Sequence, residues 1–190
     1  MKEKIVVLEQ AHDLFTQYGC KRVSMDDVAN SLGISKKSIY VHFKNKSELV
    51  EQSVAYLLER TRSEMSSFFH TSEEPKDPFN RIVQIYRVGL KELRNLSPTF
   101  LFGLKKYYPE AYKLFENFRR EVVWEYVYTL LKKAKEDQLI REGINLKLMC
   151  ELFLLRIDEV ILPHGEFFEN YTTEELLDHL IIVPLQGIRK

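Results

Sequence analysis

The chain has 190 residues, with 28 Lys and Arg against 28 Asp and Glu, a formal net charge of zero. That balance excludes a generally basic coat, and the length admits one or two small domains with a real core. No apolar run approaches a membrane span and no signal-peptide layout opens the chain, so a cytoplasmic protein with no membrane partner is expected. Cys20 and Cys150 show neither metal nor redox spacing and read as inert thiols. Charge is uneven along the chain: residues 1–47 hold eight Lys/Arg against five Asp/Glu, a net +3, and the remainder balances at −3. A basic head on a body that an anionic partner would repel fits that distribution.

Taken in order, the chain reads as helix throughout. Ile5, Leu8, Ala11, His12 and Phe15 fall at helical spacing over about Lys4 to Tyr18, and Gly19 stops that helix. Ser24 with Asp27 three residues on is a capping-box pattern that starts a second helix at Met25. Val28, Ala29 and Leu32 give it one apolar face, and Gly33 can end it in the left-handed conformation. Ser35 caps a third helix in which Ile39 and Phe43, four apart, point inward. Ala29 lets the two short helices cross closely. Helix, Gly-containing turn and helix make a helix-turn-helix unit.

What that third helix shows to solvent decides its use. With Ile39 and Phe43 buried, the outward set is Lys36, Lys37, Ser38, Tyr40 and His42, with Lys44 and Lys46 just beyond. All can donate hydrogen bonds to phosphate oxygens or base edges. Lysines in a first helical turn oppose the helix dipole, so Lys36 and Lys37 are poorly placed for helix stability alone. A solvated helix of an ordinary bundle is the blander reading, and the lysine cluster favours DNA. With the two caps included, the candidate DNA-binding residues are Ser24, Ser35, Lys36, Lys37, Ser38, Tyr40, His42 and Lys46.

Residues 5–50 resemble the N-terminal domain of the TetR family of bacterial transcriptional regulators. The resemblance rests on Ala11, Leu14, Phe15 and Gly19, then the run 24–29, then 32–36, then 39–46 with Glu48 and Leu49. Lys37 stands where that family often has a small residue or proline, and Val41 where it often has an aromatic or polar one. Beyond the first quarter of the chain only the helical pattern is similar. The resemblance implies an all-α fold of about nine helices, with a three-helix DNA-binding domain at 1–47 and a helical effector-binding and dimerisation domain at 48–190.

The rest of the chain fits that expectation. Asn45 and Glu48 form a second capping-box pattern before a long fourth helix running to about Phe69. Residues 71–78 are polar with two prolines and read as a loop. Asp77-Pro78 and Ser97-Pro98 open the fifth and sixth helices, and Pro109 a long seventh to about Asp137. An eighth starts at Leu146 and loses definition near Pro163-His164-Gly165. Thr172 with Glu175 caps a ninth, in which Pro184 should produce a kink.

Helices five to seven are rich in aromatics, which either pack a core or line a cavity. The candidate effector pocket comprises Tyr86, Phe100, Leu104, Tyr112, Phe115, Phe118, Val122, Tyr126, Phe153 and Arg156. Arg156 and Asp158 interrupt an apolar helix and serve a ligand, a salt bridge or a dimer contact. The last two helices are apolar on two sides, which points to a homodimer built on Leu152, Leu155, Leu176, Leu180, Val183 and Gly187. The five histidines are scattered and no phosphate loop, zinc motif or nucleophile elbow is present, so no enzyme activity, metal or cofactor is expected. The favoured reading is a repressor of a palindromic operator, released by a hydrophobic or amphipathic small molecule. Control of the same fold by a protein partner, or a helical interaction protein that no longer binds DNA, stays open.

Overall fold

The computed structural model describes residues 2–70, 77–161 and 166–190. The expected loop at 71–76 and the break at 163–165 lie outside the described residues. Among those described, 82% of the structure is helical, with no strands and ten helices. These are α1 (Lys2–Tyr18), α2 (Met25–Leu32), α3 (Lys36–Tyr40), α4 (Lys46–His70), α5 (Pro78–Asn95) and α6 (Pro98–Tyr107). They continue with α7 (109–136), α8 (146–161), α9 (Glu166–Asn170) and α10 (173–188), three of which contain a π-helical stretch.

The chain divides into two compact units. The first comprises Met1–Arg60 with Asn95–Glu116; the second comprises Thr61–Arg94 with Asn117–Lys190. Helices α4 and α7 each contribute to both.

In the first unit, α1 packs on α2 and α6, and α2 on α3, with Val7, Leu8, Ala11 and Phe15 of α1, Val28 and Ala29 of α2, Ile39 of α3 and Phe43 all buried. Of the expected stripe, Leu8, Ala11, His12 and Phe15 are buried, while Ile5 lies at its margin, 39% exposed, and Val7 is buried in addition. Gly19 ends α1 at φ +86 and Gly33 ends α2 at φ +65, both left-handed and suited to glycine. Ser97 caps α6 by accepting from the Phe100 N–H at 3.1 Å.

In the second unit, the buried side chains come from α5, α7, α8 and α10, with Ile82, Ile85, Val127, Leu131, Cys150, Phe153, Leu177 and Ile181 nearly inaccessible. Ion pairs among the described residues tie α4 to α7, α5 to α10 and α7 to α8. The Arg62 guanidinium grips the Glu121 carboxylate through both nitrogens. Arg87 meets Glu174 at 3.0 Å, and Arg119 meets Asp158 at 2.7 Å.

The long helices depart from the uninterrupted ones expected. Helix α7 widens into a π stretch at Val122–Val127, α8 at Arg156–Ile161 and α10 at Asp178–Ile182. The last has a plain cause. Pro184 has no N–H to give the carbonyl four residues back, Leu180, and its ring crowds that carbonyl. In place of the expected bare kink, the backbone widens just before the proline, and Arg156 Nη1 donates to the Leu180 carbonyl at 3.0 Å. Arg156 therefore repairs a bond that Pro184 removes. Replacing Arg156 with Met should lower stability by about 1.5–3 kcal/mol, the worth of a charged hydrogen bond. Adding Pro184→Ala, which restores the N–H, should recover part of that loss in a urea-denaturation cycle. Strict additivity of the two changes would refute the coupling.

Candidate nucleic-acid interface

Helix α2 is held at its start by the reciprocal bonds its sequence predicts. Ser24 Oγ accepts from the Asp27 N–H at 3.1 Å, and the Ser24 N–H donates to Asp27 Oδ2 at 2.7 Å. Those bonds to Ser24 hold the Asp27 carboxyl below the usual carboxylate range. Gly33 closes the helix, and the Ile34 N–H returns to the Ala29 carbonyl at 3.0 Å. Ser35 then caps α3, accepting from the Ser38 N–H at 3.2 Å, with the two hydroxyls 2.9 Å apart.

Helix α3 ends at Tyr40, three residues short of the expected Phe43. The Phe43 N–H still reaches the Ile39 carbonyl at 3.0 Å, so Ile39 and Phe43 keep helical spacing, 0% and 1% exposed. Ser35, Lys36, Lys37, Ser38 and Tyr40 then face out, as does Ser24. Lys36 Nζ meets Asp26 Oδ2 at 2.7 Å, a bond that raises its pKa.

Two members of the candidate set are placed otherwise. His42 is half-buried and turns Nε2 toward Glu3 of α1 at 3.8 Å. Lys46 is half-buried too. Its ammonium donates to the Lys21 carbonyl at 3.2 Å and sits 5.9 Å from the Tyr108 ring, and burial lowers its pKa. The first turn of α4 thus spends its lysine on the protein's own backbone, because the turn after α1 folds back beneath it.

One exposed residue escaped the candidate set. Val41 follows α3 directly and is 74% exposed, although it is apolar. Its type hides it from a search for donors, yet an apolar side chain on a reading surface is what a thymine methyl contacts.

The candidate pocket residues divide between the units. Phe100, Leu104, Tyr112 and Phe115 belong to the first, and Tyr86, Phe118, Val122, Tyr126, Phe153 and Arg156 to the second. In the second unit Arg62 lies 5.3 Å from the Phe118 ring and also hydrogen-bonds Tyr126. Tyr86 packs on Phe153 with ring centroids 5.5 Å apart. Its hydroxyl is buried with no hydrogen-bond partner among the described residues, and burial raises its pKa well above the usual phenol value.

The candidate dimer residues also divide. Leu152, Leu155, Val183 and Gly187 are exposed, joined by Leu148, and Leu180 is half-buried. Leu176 is 5% exposed and lies inside its own chain, buried beside Leu177 and Ile181 rather than presented to a partner. Among the described residues no three His, Cys, Asp or Glu side chains gather as metal ligands do, and no helix is long and apolar enough to cross a membrane.

Comparison with known proteins places this geometry. Residues 7–52 match the model of the bacterial regulatory proteins of the tetR family. The HTH-type transcriptional regulator YvaF of Bacillus subtilis is 28% identical over 183 residues, covering 96% of this chain and 93% of that protein. A regulator from Saccharomonospora viridis solved in complex with choline superposes with a TM-score of 0.80 at 15% identity, covering 100% of this chain and 98% of that one. A TetR-family regulator from Rhodococcus superposes with a TM-score of 0.73 at 17% identity, covering all of both chains. Residues 7–52 thus carry the DNA-binding domain of the bacterial regulatory proteins of the tetR family, and the chain as a whole is similar to HTH-type transcriptional regulators.

Proposed function

We propose that this regulator is a cytoplasmic homodimeric repressor that reads a palindromic operator with α3 and lets go when a hydrophobic or amphipathic small molecule binds the body. The buried Tyr86 hydroxyl carries the effector half of this reading. A donor left unsatisfied in an apolar surround costs about 1–3 kcal/mol, and a ligand bearing one acceptor on an apolar frame would recover it. The fold neighbour bound to choline supports a small organic effector in this architecture. Pairing of two chains is supported by Leu148, Leu152 and Leu155, which repeat at helical spacing along α8 with Val183 on α10, all exposed on the single chain. A dimer that sets two α3 segments about 34–36 Å apart would enter successive major grooves. A ligand favouring another spacing would weaken DNA binding by its differential affinity alone.

Three measurements test this. Asp26 competes with phosphate for Lys36, so Asp26→Asn should tighten DNA binding and steepen its salt dependence, while Lys36→Ala should do the reverse; two neutral changes would remove α3 from the interface. Leu155→Arg should leave the chain folded but monomeric by light scattering, whereas a monomeric wild type would end the dimer reading. In thermal melts against a panel of amphipathic compounds, a true effector should raise the wild-type midpoint, and raise that of Tyr86→Phe by clearly less. A panel-wide absence of shifts would favour control by a protein partner.

A further inference from the structure

We infer that the first unit carries a second phosphate-binding patch, outside the helix-turn-helix, formed by Lys21, Lys106 and the Tyr107 phenol, which holds the DNA backbone flanking the operator. The inference rests on the DNA-binding reading above and adds an anchor that α3 does not provide.

Neither of the stretches 14–25 and 95–109 contains an acidic residue. The first supplies Lys21 and Arg22, the second Lys105 and Lys106. The fold brings them together. Gly19, at φ +86, lies so close to α6 that an added Cβ would stand 2.8 Å from Thr99 Cγ2. Two residues on, Lys21 Nζ donates to the Tyr107 hydroxyl at 3.1 Å and sits 4.6 Å from the centre of its ring. Lys106 Nζ lies 5.5 Å from the same ring and 5.4 Å from that of Phe102, itself 61% exposed.

Two ammonium groups thus share one phenol, and among the described residues neither they nor Lys105 meet a carboxylate within ion-pair distance. Like charges held this close repel, and their ring partner supplies only a quadrupole. The bond from Lys21 also lowers the Tyr107 pKa, as a phenol beside cations requires. Since Lys21 donates to the phenol oxygen, the phenol O–H stays available to donate outward. Two cations and one hydroxyl donor suit a phosphodiester, the commonest hydrogen-bond target on DNA.

Continuity with the reading surface selects DNA as the occupant. The Lys21 carbonyl is the one that receives Lys46 at the start of α4, and Ser24, which opens α2, lies three residues further on. An anionic backbone that passes α2 and α3 and continues outward next meets this patch.

The experiment uses the operator duplex that the wild-type protein selects from a random pool. It is prepared in two lengths, trimmed to its palindrome and extended by roughly one helical turn, about 10 bp, on each side. The slope of log Kobs against log salt is measured for wild type, for Lys21→Gln/Lys106→Gln, and for Lys133→Gln/Lys147→Gln on the second unit as a charge-matched control. On the extended duplex the first double variant should flatten the slope by about 0.9 for every phosphate that each head ceases to neutralise, with sequence preference unchanged. On the trimmed duplex its slope should match wild type, and the control should match wild type on both. An unchanged slope on the extended duplex, or equal flattening by the control, would overturn the patch. So would an unchanged DNA slope accompanied by weaker binding to phosphatidylglycerol vesicles, which would assign the cations to a lipid surface. A wild type that selects no duplex would instead sink the regulator reading itself, a distinct outcome.

Discussion

A helix of five residues cannot hold itself together. Nucleation fixes several residues for each hydrogen bond gained, and isolated helices several times longer are marginal in water. Helix α3 exists because its ends and its inner face are supplied from elsewhere. Ser35 satisfies its first donors, Gly33 sets the chain's entry by reversing direction after α2, and Ile39 and Phe43 are fixed in the core that α1 and α2 complete. Only two of the residues from 35 to 43 are buried, one turn apart, and the rest of the segment is forced toward solvent. The reading surface is thus the remainder left by an anchoring constraint. Loss of Ile39 or Phe43 would cost the surface its shape before it cost the chain its fold.

The charges on that surface are half-satisfied. Lys36 and Lys37 stand where the helix dipole disfavours cations, and the Asp26 carboxylate, on the preceding helix, offsets part of that cost. The same bond must break or share when phosphate arrives. His42 is turned to Glu3, and Lys46 to a backbone carbonyl. A head whose cations are partly neutralised by its own groups binds non-cognate DNA weakly, since that binding scales with the phosphates neutralised. On the proposed reading, its discrimination would then rest on exposed groups such as Lys37 and the apolar Val41 at the end of the segment.

What was legible in the sequence was local. Ser24 with Asp27, Ser35, Asp77-Pro78, Ser97-Pro98 and Thr172 with Glu175 each mark a helix start within four residues, because a cap and its donors are neighbours in the chain. The positions that could not be read depend on distant partners. Lys21 and Tyr107 are 86 positions apart, and Arg87 and Glu174 are 87 apart. Lys46 carries the same charge whether it faces solvent or a carbonyl, and only the fold of the preceding turn decides. Helix α9 is five residues without a buried side chain, too short to leave a periodic mark. The π stretches of α7 and α8 are the deepest case, since they arise from where carbonyls find donors and carry no residue signature, whereas that of α10 is announced by Pro184.

Those π stretches also connect the second unit's internal chemistry to its exposed face. Arg156 begins the π stretch of α8, and the carbonyl it serves lies within the π stretch of α10. The adjoining residues of the same two helices present Leu152, Leu155 and Val183 to solvent. If this face pairs with a copy of itself, as proposed, it must be held in one shape, because each loosened side chain or helix adds ordering cost on association. Packing of apolar side chains alone would let α8 and α10 slide by fractions of a turn. A guanidinium that must reach one particular carbonyl fixes their register, and Pro184 ensures that this carbonyl lacks its ordinary helical donor. The proline that looks like a defect in α10 is, on this argument, what makes the bond from Arg156 specific, and the bond is what keeps the two faces aligned.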